Sequence, residues 1–118
     1  MSIDSHIEII TKLIQASGKE TTKVLAVEYK LAPENPFPFA INEAVKVYKY
    51  MLEELHISSS VISFGGDSAG GGLVLATLLS SLSLNLPMPS CAVLLSPWVD
   101  LECNDQSYGN VPTTICCT

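Results

Sequence analysis

The ten residues 63–72, SFGGDSAGGG, set Ser68 among five glycines and an alanine, at the end of the apolar run VISF at 61–64. A glycine two positions before the serine and another two after it, here Gly66 and Gly70 around Ser68, let a chain turn sharply from strand into helix with the serine at the tip. The spacing predicts that Gly66 and Gly70 sit where strand and helix backbones pass too closely for a Cβ. It also predicts an uncommon φ/ψ for Ser68, strain of a kind that persists mainly at functional sites. The hydroxyl would then point outward. The helix behind it would offer its N-terminal dipole and the N–H of Ala69 to an oxyanion. Read this way, Ser68 is a nucleophile, Ala69 is half of an oxyanion hole, and Gly66, Asp67 and Gly70 complete the elbow.

GxSxG alone is a weak signal in a chain rich in Ser and Gly, so its context decides. Residues 60–65 read as a short buried strand and 69–84 (AGGGLVLATLLSSLSL) as a mostly apolar helix, the strand, turn and helix that the motif requires. Phosphate cradling is the other use of clustered glycines. The Lys-Ser/Thr ending of a P-loop and the GxGxxG pattern are both missing, so no nucleotide site is indicated.

Upstream, Ile3, Ile7, Ile10, Leu13 and Ile14 recur at helical spacing behind Asp4 and Ser5, with Ser17-Gly18 as a stop. Residues 23–29 (KVLAVEY) read as a strand. In LAPENPFP, Pro33, Pro36 and Pro38 forbid both helix and central strand and leave a rigid loop. Residues 40–55 return to a helix with Ile41, Ala44, Val45, Tyr48, Met51, Leu52 and Leu55 on its apolar side, and 91–96 (CAVLLS) read as an unbroken apolar strand. Helices alternating with such strands predict an α/β fold, a parallel sheet covered by helices on both faces, with ligands beyond the carboxyl ends of the strands. Ser68 falls there. Residues 102–118 show no usable periodicity and are expected to be irregular.

The chain has 118 residues, enough for one domain and too few for two. A net charge of −6 with six Lys and Arg, and no basic patch interleaved with aromatics, argues against nucleic acid as a partner. Cys91, Cys103, Cys116 and Cys117 form no CxxC pair and have no neighbouring His, so buried or spectator thiols and no metal are expected. The opening MSIDSHIEIITKLI lacks the basic start of a signal peptide, and the apolar stretch around 73–86 is too short to span a bilayer. The expectation is a soluble, cytoplasmic protein with no membrane span; oligomeric state is left open.

Three segments together resemble an α/β-hydrolase of the hormone-sensitive-lipase type, a group of carboxylic ester hydrolases. VEYKLAPENPFP resembles that family's YRLAPE strand and loop, GGDSAGG its serine elbow, and LLSPWVDL the next strand and its exit. The resemblance implies a lipase-like carboxylesterase with Ser68 as nucleophile, Ala69 as an oxyanion donor, no cofactor, and a small-molecule ester as substrate. Glu28 and Lys30 stand for the family's Asp and Arg, and Gly72 for a common Asn. It also implies missing parts. The family's HGGG loop precedes the first helix seen here, and its acid and histidine follow far downstream, whereas no histidine follows Ser68. Residues 1–118 are therefore expected to be a single partial domain, lacking the oxyanion-loop strand and the acid and histidine part.

His6 and His56 are expected at the surface or as caps, and Asp67, Asp100 and Asp105 do not match the family's acid. Trp98 is expected to pack rather than line an acyl pocket. In the resembling fold a strand lies between 23–29 and 60–65. Its absence predicts that 60–65 and 91–96 pair in parallel, while 23–29 is displaced, separated by a gap, or paired directly with 60–65. The alternatives to an ester hydrolase are a non-catalytic ligand- or partner-binding protein on a hydrolase scaffold and a truncated gene product.

Overall fold

The computed structural model describes residues 6–18 and 21–100, so Cys103, Asp105, Cys116, Cys117 and the expected irregular stretch 102–118 lie outside the described residues, as does the helix start at Ile3. In chain order the elements are helix α1 (Ile7–Ala16), helix α2 (Phe39–Glu53), a short 3-10 turn (Ser59–Val61), strand β1 (Ser63–Asp67), helix α3 (Ala69–Ser83) and strand β2 (Cys91–Leu95).

β1 and β2 pair in parallel, in register from Ser63 against Cys91 to Asp67 against Leu95. This is the pairing expected through the helix behind Ser68. The first strand starts later than its apolar run suggests, because the Ser58 hydroxyl accepts from the Ser60 N–H and winds 59–61 into the 3-10 turn. α3 packs on both strands and α2 packs on α3. Alternation along the strands puts Phe64 and Gly66 on the face toward α3, and Cys91, Val93 and Leu95 on the other, where Val93 and Leu95 remain exposed.

The core is small. Val45, Tyr48 and Ile62 are its buried apolar residues. Tyr48 packs edge-on against Phe64 with ring centroids 4.9 Å apart, and its hydroxyl donates to the Pro87 carbonyl at 2.6 Å, which ties α2 to the loop before β2. Burial pushes the Tyr48 phenol above its ordinary pKa, so it stays protonated as a donor. The expected apolar face of α2 is inward except at Leu55, which lies past the helix end and is exposed. Ser81 on α3 is fully buried and its hydroxyl has no partner. A buried hydroxyl without a bond costs free energy. Ser81→Ala is therefore expected to raise the unfolding free energy by up to about 1 kcal/mol in a urea titration. A loss of stability would reveal an unseen partner.

The expected strand at 23–29 is corrected: it forms no ladder, and the sheet among the described residues has two strands. Val24, Leu25 and Val27 are exposed. The stretch has strand composition but no strand beside it to receive its N–H and C=O groups. It is instead held at its end, where the Lys30 N–H donates to the Glu43 carboxylate at 2.9 Å and the Lys30 ammonium lies 5.8 Å from the centre of the Phe39 ring. The proline loop that follows turns into α2 through bonds from the Phe39 N–H to Pro36 O and from the Asn42 N–H to Pro38 O. Among the described residues, no helix is long and apolar enough to cross a membrane.

Candidate active site

Ser68 stands between the end of β1 and the start of α3, at φ 54° and ψ −117°, a left-handed conformation that side chains other than glycine rarely take. Its backbone is fixed from several directions. The Ser68 N–H donates to Leu95 O at 2.9 Å, extending the sheet by one bond. The Ser68 carbonyl accepts from the N–H groups of Gly72 at 3.2 Å and Trp98 at 2.9 Å. The side chain is exposed and does not cap α3. Ala69 is the first residue of α3, so its N–H has no carbonyl within the helix to bind.

Gly66 behaves as expected: a Cβ there would run into the backbone of Gly70 and Gly71. Gly70 does not. A Cβ on Gly70 would meet nothing within 4 Å, because only the strand side of this crossing is tight. The close approaches that the spacing did not reveal are at Gly71, where a Cβ would lie 2.9 Å from Pro97, and at Gly72, where it would meet the Trp98 carbonyl. Gly71 and Gly72 let the exit of β2 cross the first turn of α3.

Replacing Ser68 separates strain from chemistry. Ser68→Gly is expected to stabilise the fold by about 1 kcal/mol, since glycine takes a positive φ without penalty. Ser68→Ala, which keeps the strain, should stay within about 0.5 kcal/mol of the parent. Thermal melts of both check this, and a marked loss in Ser68→Ala would mean that the hydroxyl holds the turn.

His6 is placed at the head of α1, where an N-cap would stand, but its side chain does not cap the helix. Its Nε2 lies 3.3 Å from Asp67 Oδ2. This pairing carries no sequence signal, because 61 positions separate the two residues. His56, three residues beyond the end of α2, is exposed and has a φ of 51°, in keeping with the expected surface position. Trp98 is half-buried and its indole N–H donates to Asp100 O at 2.8 Å. An open hollow lined by Tyr29, Leu31, Phe37, Pro38 and Ile41 belongs to the proline loop and includes none of the elbow residues. Cys91 is exposed and unpaired, and among the described residues no group of three His, Cys, Asp or Glu could hold a metal ion.

A parallel pair of strands joined by a helix, with a strained serine at the strand-to-helix turn, defines an α/β-hydrolase core. The family model described as "alpha/beta hydrolase fold" matches residues 1–117, and the chain belongs to that family. The solved structures it resembles include esterases, among them members of the hormone-sensitive lipase family. An esterase from the bacterial hormone-sensitive lipase family superposes with a TM-score of 0.82 at 36% identity, over 98% of this chain and 37% of its own. An esterase/lipase from an uncultured bacterium superposes with a TM-score of 0.82 at 40% identity, over 92% and 36%. In sequence, an acetyl-hydrolase of Streptomyces hygroscopicus is 38% identical over 91% of this chain and 34% of its own length. An ethyl acetate hydrolase of Pseudomonas putida is 33% identical over 92% and 36%. The chain thus spans about a third of the length of the relatives it matches.

Proposed function

We propose that this chain is the nucleophile-bearing part, a single partial domain over 1–118, of a serine carboxylic ester hydrolase. The observation that carries the reading is the backbone of Ser68, held at φ 54° by bonds to both β2 and α3. Ser68 Oγ attacks the ester carbonyl, the Ala69 N–H stabilises the oxyanion, and the C–O bond to the alcohol breaks as the alcohol takes a proton. Water then hydrolyses the acyl-serine. Neither histidine here matches the family's base: His6 lies at the head of α1 beside Asp67, and His56 lies three residues beyond the end of α2. Relatives named for acetyl and ethyl acetate hydrolysis favour a short acyl group on a small ester.

With no base beside it, a serine hydroxyl is a weak nucleophile, and each missing part of a triad or oxyanion hole is worth about a hundredfold or more in rate. The isolated 118-residue chain is therefore expected to show no turnover of nitrophenyl butyrate above background, yet to be slowly phosphonylated at Ser68 in preference to its other serines. Turnover that Ser68→Ala abolishes would place a base within the chain. Labelling that ignores Ser68 would favour a non-catalytic binding protein on the same scaffold.

A further inference from the structure

We infer that His6 is a positioning residue for Ser68, acting through Asp67. Asp67 is the last residue of β1, and alternation puts it on the face of Ser63 and Gly65, away from α3. His6 comes to it across 61 positions of sequence, Nε2 to Oδ2 at 3.3 Å, with the two side chains 29% and 35% exposed.

Two consequences follow for the serine one position on. A residue in a sparsely populated backbone region keeps its conformation only when its surroundings over-determine it. Downstream, Ser68 is held by the N–H groups of Gly72 and Trp98, and its own N–H is held by Leu95. Upstream, the side chain of Asp67 is held by His6, which ties the head of α1 to the elbow. The second consequence is electrostatic. A carboxylate next to Ser68 sets a negative charge near the place where an oxyanion forms on the attacked ester. An imidazole N–H donated to that carboxylate draws its charge away from the site. His6 thus serves the geometry and the charge of the elbow without touching the ester. This role rests on Ser68 being the nucleophile.

The test uses the full 118-residue chain and four variants: His6→Ala, His6→Gln, Asp67→Asn, and His6→Ala combined with Asp67→Asn. Two quantities are measured on each. One is the rate at which an alkyl fluorophosphonate labels Ser68, a reaction in which the Oγ–P bond forms, the P–F bond breaks, fluoride leaves and the serine proton passes to buffer. The other is the pair of amide ¹⁵N shifts of Ser68 and Ala69. His6→Ala is expected to slow labelling about fivefold and to move both amides, the scale of one lost charge-assisted hydrogen bond at a partly exposed site. His6→Gln keeps a donor and should recover the rate to within about twofold. In the Asp67→Asn background, His6→Ala should change neither quantity further.

The inference is overturned if His6→Ala leaves rate and shifts unchanged, if Gln does no better than Ala, or if the two substitutions act additively. Absence of any label on Ser68 in the parent chain would remove the nucleophile reading alone; the amide shifts and their non-additivity would still decide whether His6 sets the Ser68 backbone. Should His6→Ala not fold, the comparison of His6→Gln with Asp67→Asn decides by the same shifts.

Discussion

Gly66→Ala should all but unfold this chain, while Gly70→Ala should leave it intact or slightly more stable. The two glycines flank Ser68 symmetrically in the motif, and the sequence offers no reason to rank them. Their surroundings do. A Cβ on Gly66 would overlap the Gly70 carbonyl, at 2.5 Å from its carbon, and would lie 2.7 Å from the Gly71 nitrogen. Both are backbone atoms of the first turn of α3, so no rotamer change relieves the contact. Either the helix lifts off β1 or the turn at Ser68 opens. Overpacking of this kind costs about 3 kcal/mol, and the core that must absorb it contains Val45, Tyr48 and Ile62 as its buried apolar residues. A Cβ on Gly70 faces open space, and replacing a helical glycine with alanine gains about 0.5–1 kcal/mol. Urea titrations of the two variants, followed by far-UV circular dichroism, check the contrast. Equal losses would mean that the strand and helix cross at both glycines.

What the sequence made legible was mainly local. The strand, turn and helix around Ser68 follow from an apolar run, a glycine pair and a second apolar run, each of which states its own preference. The apolar face of α2 was readable from Ile41 to Leu52 because helical periodicity repeats over several turns. The parallel pairing of β1 with β2 followed from chain order, since a strand, a helix and a strand leave little choice of topology. Residues 23–29 show the opposite case. Their composition favours a strand, but a ladder needs a partner, and the segment joins none among the described residues. The pairing of His6 with Asp67 and the crossing of Pro97 and Trp98 over Gly71 and Gly72 were invisible for a different reason: each joins residues far apart in sequence, and neither half has a pattern that names the other.

That crossing leads to the second large effect, at Gly72. The esterases that this sequence resembles commonly carry Asn at the position, and a glycine inside a helix is a poor helix former, so Gly72→Asn would ordinarily be expected to help. The structure points the other way. The Trp98 carbonyl lies where a Cβ of residue 72 would be, with the Trp98 carbonyl carbon 3.4 Å from it. The same residue's N–H donates to the Ser68 carbonyl at 2.9 Å. Trp98 is therefore clamped between the helix and the turn, and it cannot yield to a side chain at 72 without releasing the serine. Gly72→Asn should cost about 2–3 kcal/mol, the overpacking penalty together with one backbone hydrogen bond, against the few tenths gained in propensity. It should also speed hydrogen exchange at the Trp98 amide, because that N–H loses its acceptor, and it should do so under conditions where exchange at α2 is unchanged. Exchange followed by NMR, alongside a urea titration, measures both. A stabilised Gly72→Asn with a protected Trp98 amide would show that the exit of β2 can step aside, and the glycine would then be a tolerated substitution with no part in holding the turn.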